Sequence, residues 1–409
     1  MKMQPSQRHL FSIPAFKRFL AAQISSNLAY QMFSVAVGWQ IYDLTRSALS
    51  LGLIGLSLFL PQFLLSLVVG HVADRYERRR IASICFLSEF ALAAMLAAGS
   101  FAHALSPHLI LACVFLFGAA RAFQNPTMQA FLPTLVKPDI LPECLALSAT
   151  GWQLGSILGP ALGGFIYLAG AGVAYTCIAA CYGLAALFVL GISPPAIAPR
   201  REPPTLKSVF EGVAYIKSKP DILGAISLDL FAVLLGGATA LLPIFARDIL
   251  FTGPWGLGLL RAAPAVGALS MSAYLVRRPV KHGVGRIMFA AVAGFGIATI
   301  VFGLSRFFWL SLAALMVLGA TDIISVVIRS TLVQLETPDE KRGRVSAVNF
   351  IFIGASNQLG EFESGVTAAW LGTVPAVVIG GLGTLLVVAL WMRLFPGLAG
   401  RDELIPTNL

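Results

Sequence analysis

Charge is scarce in this chain. Only 12% of its 409 residues are Asp, Glu, Lys or Arg, against about 25% in a soluble domain. Acidic residues are the rarer kind, 19 against 29 Lys and Arg. A chain so poor in charge cannot face water on all sides, which excludes an ordinary soluble protein. Cysteine is scarce too. The five cysteines (Cys85, Cys113, Cys144, Cys177 and Cys181) form no secreted disulfide framework. Cys177 and Cys181, four apart on one helix face, suit small core residues better than a thiol metal site. No G-x-x-x-x-G-K-[ST] loop is present, which argues against an ATP-driven machine. Neither H-E-x-x-H, nor a paired-cysteine zinc pattern, nor a nucleophile elbow occurs. Enzymatic chemistry, a metal and a cofactor are therefore not expected. The short alternating segments of an outer-membrane barrel are missing as well.

What the chain has is apolar length. Hydrophobic residues make up 57% and the mean hydropathy is +0.82. Runs of about 20 apolar residues, enough to cross a bilayer as helix, fall near 17–42, 48–70, 81–102, 107–130, 144–168 and 172–192. A second set falls near 222–246, 255–276, 286–304, 308–332, 345–370 and 373–394. Residues 1–19 are polar and basic, but the run that follows is long and lacks a small-residue cleavage site. It reads as the first span rather than a signal peptide. Twelve spans put both termini on one side. With the N-terminus inside, 23 of the 29 Lys and Arg fall in cytoplasmic segments, three outside (Arg46, Arg247, Arg306) and three within spans (Arg121, Arg261, Arg329). The positive-inside rule selects cytoplasmic termini. The net charge of +10 follows from the same loop bias and does not point to nucleic acid.

The longest polar break, 193–220, divides the spans six and six. It opens with Pro194-Pro195, Arg200-Arg201 and Pro203-Pro204, which read as an extended linker. Residues 206–217 then alternate apolar and charged residues at helical spacing, as a helix along the inner membrane surface would. The halves repeat. Lys137-Pro138-Asp139 precedes span 5 and Thr337-Pro338-Asp339 precedes span 11, followed at similar depth by Gln153-Leu154-Gly155 and Gln358-Leu359-Gly360. The expected fold is all-α, twelve transmembrane helices in two six-helix pseudo-repeated bundles, 1–192 and 221–409, joined by the 193–220 linker.

Polar residues inside the spans are the candidate working parts, because lipid would not tolerate them. Gln23, Asn27, Gln31 and Ser34 make a stripe along one face of span 1. Phe123, Asn125, Trp152, Gln153, Asn349 and Asn357 join Asn27 and Gln31 as candidate cavity contacts, with Trp39 and Phe350 as further aromatics. Glu89, Asp229, Asp322, Glu361 and Glu363 lie within predicted spans, where a partly buried carboxylate can take up and release a proton. On span 10, Asp322, Ser325 and Arg329 share a face, so Asp322 and Arg329 are placed to bridge through water. Arg121 is either part of that proton machinery or half of a structural ion pair with an acid such as Glu89.

The stretch Gly70-His-Val-Ala-Asp-Arg-Tyr-Glu-Arg-Arg-Arg80 packs four arginines, one aspartate and one glutamate between spans 2 and 3. It resembles the signature loop of the major facilitator superfamily, G-x-x-x-D-R-x-G-R-R/K-R/K. Gly70, Asp74, Arg75, Arg78, Arg79 and Arg80 match, and Glu77 replaces the second glycine. The resemblance implies that Asp74 and Arg75 help lock the two halves when the cytoplasmic side is closed. The loop after span 8, Arg277 to Arg286, keeps the charge of a second copy but has no aspartate. Gly155, Gly159, Pro160, Gly163 and Gly164 resemble the G-x-x-x-G-P-x-x-G-G element on the fifth helix of facilitator antiporters, an element associated there with export. These glycines permit close helix packing and the proline perturbs the ladder. Arg121 resembles the arginine of the fourth-helix motif linked to proton transfer, although Asn125 stands where a glycine is usual. With Arg121–Pro126, Leu132–Val136 and Thr337–Asn349, the chain is similar to the siderophore- and macrolide-exporter branch of that superfamily.

This resemblance implies a monomeric inner-membrane carrier that exports a small amphipathic solute, siderophore or drug-like, in exchange for protons. Its partners are the solute, protons and the bilayer. The rival readings are a proton symporter taking up a nutrient or ferric siderophore, and a membrane sensor or assembly partner. The sensor reading predicts an added soluble domain, which the short tail after Pro396 does not supply.

Overall fold

The computed structural model describes residues 10, 12–193 and 206–404. Side chains are not described at 66–67, 70–71, 73–74, 206–210, 339–340, 346–347 and 350–351. The proline- and arginine-rich first part of the linker lies outside the described residues. Within them the chain is helical throughout. The helices are α1 (Pro14–Thr45), α2 (Ala48–Arg75), α3 (Arg78–Phe101), α4 (Pro107–Leu135), α5 (Leu141–Tyr167), α6 (Ala171–Leu190), α7 (Leu206–Ser218), α8 (Pro220–Leu235), α9 (Gly253–Arg277), α10 (Val284–Leu304), α11 (Phe308–Glu336), α12 (Asp339–Leu371), α13 (Thr373–Leu394) and α14 (Pro396–Gly400). Each predicted span has its helix. Nine of them, counting α8 with its continuation to Ile249 as one, are apolar and long enough to cross a membrane by composition alone. The other three long helices are α1, α5 and α12, which carry the polar and glycine-rich motifs.

Local chemistry sets the boundaries. Ser106 caps α4, its hydroxyl accepting the Leu109 N–H at 3.3 Å, with Pro107 in the first turn. Gly170 (φ 105°, ψ 157°) and Gly372 (φ 92°, ψ 159°) stand immediately before α6 and α13. Side chains with a Cβ avoid this region, so only glycine makes these corners without strain. The same rare corner thus recurs before two long helices, α6 and α13.

One span departs from expectation. The run 222–246 reads as a single helix, yet α8 stops at Leu235. A 3₁₀ turn (Ala238–Leu241), a helical turn (Leu242–Ile244) and a π turn (Phe245–Ile249) complete the crossing. Gly236-Gly237 and Pro243 supply the break. A Cβ on Gly237 would come within 2.6 Å of the Gly360 carbonyl carbon, so the close approach of α12 requires glycine there.

The chain forms two compact units, Met1–Leu44 with Leu60–Pro203, and Thr45–Phe59 with Pro204–Leu409. In the first, α3 and α6 pack closely. Its aromatic core stacks Phe33 on Phe117 at 4.2 Å and sets Tyr182 edge-on to Phe117 at 5.4 Å. The buried Tyr175 hydroxyl donates to Gln40 Oε1 at 2.8 Å. In the second, Leu228, Val284, Met288, Phe289 and Leu332 centre the core. The first part of α2 belongs to this unit, where Gly52 lies against Gly365 and Gly55 against Glu361. Arg46 and Asp248 form an ion pair there at 3.5 Å.

Helix α7 is held by more than its apolar face. The Tyr215 hydroxyl donates to the Glu336 carbonyl at 2.7 Å, and Glu211 pairs with Arg344. Ile216 packs with Ile222, Ile226, Val333, Val345 and Val348. The C-terminal segment is anchored similarly. Arg401 pairs with Asp221 at 3.1 Å and with Glu336, while the Val284 and Gly285 amides donate to the Asp402 and Arg401 carbonyls.

Candidate functional site

In the first unit the polar stripe of α1 faces the glycines of α5. Asn27 is buried and its Nδ2 donates to the Trp152 carbonyl at 2.7 Å; Gln31 Nε2 reaches Ser156 Oγ at 3.4 Å. A Cβ on Gly155 would come within 2.5 Å of Asn27 Nδ2, on Gly159 within 2.5 Å of Gln31 Cβ, and on Gly163 within 2.9 Å of Met32 Cα. The four-residue spacing thus has a direct use. It lets polar side chains of α1 lie flat against the backbone of α5. Pro160 and Gly164 are buried in the same helix. Trp152 presents 43% of its surface, and Phe123, Asn125 and Gln153 are half-buried.

Deeper in this unit, Glu89 on α3 is fully buried and neither carboxylate oxygen has a hydrogen-bond partner among the described residues. Arg121 on α4 is 5% exposed and lies within electrostatic reach of Glu89. No ion pair between them falls within 4.0 Å. Instead the guanidinium carbon of Arg121 stands 3.5 Å from the centre of the Tyr30 ring, beside the Tyr182 hydroxyl. Sequence reasoning missed Tyr30. It sits one residue off the polar stripe of span 1, and an aromatic there reads as core.

In the second unit the buried cation is Arg329 on α11, only 2% exposed. Its Nη2 pairs with Asp229 Oδ2 of α8 at 3.1 Å, and its Nη1 donates to Asn349 Oδ1 of α12 at 2.9 Å. Ser325 Oγ reaches Asp229 Oδ1 at 3.5 Å. Asp322 lines a small crevice with Asp229, Ser325, Val233 and Phe295. The direct partner of Arg329 is therefore Asp229 rather than the Asp322 of its own helix. Residues 100 positions apart cannot be paired from periodicity within one helix. Three helices converge on one guanidinium, which holds two carboxylates within its electrostatic reach.

The remaining acids stand apart from this cluster. Glu361 pairs with Arg261 at 3.8 Å, a partnership the sequence did not reveal. Glu363 accepts from Thr367 Oγ1 at 2.7 Å, and Asn357 donates to its own helix at the Ile353 carbonyl. Of the signature loop, the side chain of Asp74 lies outside the described residues, as does that of Phe350. Arg75 is exposed, Arg78 is half-buried, and Arg79 donates to the Ile192 carbonyl at 2.7 Å. Arg79 and Arg80 both approach Glu77, at 3.8 and 2.9 Å. The residue that replaces the usual glycine thus neutralises part of the arginine cluster.

Residues 7–407 match the family model described as transmembrane secretion effectors. The chain belongs to this family of the major facilitator superfamily. It is a multi-pass membrane protein and a secondary transporter, not an enzyme. It is 29% identical over 401 residues to an enterobactin exporter, EntS, of Citrobacter koseri, covering 93% of this chain and 92% of that protein. It is 28% identical over 394 residues to the enterobactin exporter of Escherichia coli O1:K1, covering 91% and 90%. Among solved structures it is similar to an inward-facing, occupied bacterial homologue of the lysosomal transporter Spinster. The TM-score is 0.74 with 13% identity, covering 96% of this chain and 97% of that one. The nucleoside transporter NupG gives 0.67 with 13% identity, covering 93% and 99%. At these identities the two structures establish the shared fold alone.

Proposed function

We propose that this transporter exports a small amphipathic solute, a siderophore or a drug-like compound, from the cytoplasm in exchange for protons. The observation that carries export is similarity along more than 90% of the chain to proteins named as enterobactin exporters. The glycine ladder of α5 against α1 supports the same reading. Proton exchange is supported by two buried arginines, Arg121 and Arg329, each placed near buried acids. A charge is retained inside a membrane bundle where it faces a partner or a pathway.

In the proposed cycle the bundles 1–192 and 221–409 alternate access to a site near the bilayer midplane, with 193–220 as their tether. Both termini are cytoplasmic, and Gly70, Asp74, Arg75, Arg78 and Arg79 secure the cytoplasmic side when it is closed. Asp229, Asp322 and Arg329 form the coupling group. Two carboxylates share one guanidinium, so one acid takes a proton without leaving the cation unpaired. Gln31, Trp152 and Asn357 contact the solute, and Asn27, buried against α5, holds α1 in place beside them.

The test is solute movement in reconstituted liposomes under an imposed pH gradient, with a siderophore and a cationic dye offered in parallel. Movement against its own gradient, opposite to the protons, is expected. Movement in the same direction as the protons would replace this reading with the uptake symporter.

A further inference from the structure

Glu89 is the least provided-for charge-bearing group among the described residues. It is fully buried by protein, and both its oxygens lie where no donor reaches them. Buried carboxylates in folded proteins are paired, hydrogen-bonded or neutral. The groups that face it are few. On its own helix, Cys85 lies one turn earlier. From α6 comes the Tyr182 phenol and from α4 the Arg121 guanidinium, with Tyr30 of α1 beyond it. Only Arg121 offers a charge, and its guanidinium lies over the Tyr30 ring at 3.5 Å, beside the Tyr182 hydroxyl, with no ion pair to Glu89 within 4.0 Å. A desolvated arginine over a tyrosine face is a favourable contact in its own right. It holds the cation off the carboxyl group.

From this geometry we infer that Glu89 is a proton-binding site of the first unit, loaded while Arg121 stacks on Tyr30 and unloaded when the guanidinium turns to Glu89. The step is a simple ionisation. The Glu89 O–H gives its proton to water admitted as the helices move, and the carboxylate left behind becomes the ion-pair partner of Arg121. Tyr30 is the positioning residue of this site, since it touches neither the proton nor the solute. The role in transport rests on the proton-exchange reading above, whereas proton binding itself does not.

The test separates the two. Infrared difference spectra of the purified full-length protein in lipid, wild type minus Glu89→Gln, are recorded across pH. A carbonyl-stretch band of a protonated carboxylic acid, shifted in D₂O, is expected at neutral pH. It is expected to persist in Tyr30→Phe, which keeps the ring, and to vanish in Tyr30→Leu, which frees Arg121. Arg121→Gln should carry the band to higher pH than in the wild type, and it serves if Tyr30→Leu does not insert. A carboxylate signal at neutral pH in place of the acid band overturns the inference. A band indifferent to Tyr30→Leu and to Arg121→Gln overturns the role of the stack. In liposomes, Glu89→Gln should lose the proton-driven component yet keep counterflow exchange of solute. Undiminished proton-driven transport alongside the infrared band would remove Glu89 from coupling while leaving it a proton site.

Discussion

Replacing Asp229 by Asn should destabilise the second unit sharply, because it takes away the short ionic contact of Arg329. Arg329 is almost wholly enclosed and, among the described residues, makes its short ionic contact with Asp229 alone, at 3.1 Å. Asn349 and Ser325 add neutral hydrogen bonds around the pair. Breaking a buried ion pair at one partner leaves an uncompensated charge and costs about 3–5 kcal/mol. Asp322 lies near enough to take over part of the compensation, which places the single variant near the lower end, about 3 kcal/mol. Asp322→Asn, which leaves the short pair intact, should cost clearly less. The double variant should exceed the sum of the two singles by about 0.5–3 kcal/mol, the range for residues sharing one network. The assay is reversible unfolding in mixed micelles, run as a double-mutant cycle. An Asp229→Asn protein within about 1 kcal/mol of wild type, or strictly additive singles, would refute the claim that one guanidinium is shared by two acids.

Other perturbations follow from the same geometry. Gly159→Val should lower stability by about 1–3 kcal/mol through overpacking against Gln31 and reduce transport more than Gly159→Ala, measured as thermal stability and liposome flux; equal effects would contradict the contact. Asp74→Asn should leave expression and insertion normal while impairing transport, so full flux at normal expression would remove its gating role. In the tail, the Gly283 N–H, with His282 adding, holds the Asp402 carboxyl below the usual carboxylate range. A depressed value stabilises the folded state above the unfolded pKa of about 3.9 and loses that contribution as pH falls through the folded value. Asp402→Asn should therefore speed hydrogen exchange at the Val284 and Gly285 amides at neutral pH and match wild type in strong acid. Identical exchange at neutral pH would show that the backbone bonds hold the tail unaided.

Much of this molecule was legible because a bilayer restricts the options. A run of about 20 apolar residues has one stable spanning form as a single segment, the helix. Each predicted run accordingly has its helix, and the break at 222–246 escaped because hydropathy is blind to backbone conformation. Gly236-Gly237 was visible, but its reason, the Gly360 backbone lying against it, belongs to another part of the chain. The candidate site was legible as residue types and illegible as pairs. Asn27, Glu89, Arg121, Asp229 and Arg329 stood out because polar groups within spans are costly. Periodicity, however, relates residues on one helix only, so it offered Asp322 to Arg329 and could not see Asp229. It also gave Arg121 no Tyr30 and Glu361 no Arg261.

The sequence by itself determined the class of structure, the helix expected at each apolar run and the family, because these follow from transfer free energies and from motifs contiguous in the chain. Only the tertiary structure decided which buried charges meet: Arg329 with Asp229 and Asn349, Arg121 over Tyr30 and away from the Glu89 carboxyl. Those choices depend on which helix faces are brought within about 3–4 Å, the range over which a buried charge finds its partner, and no local pattern carries that distance.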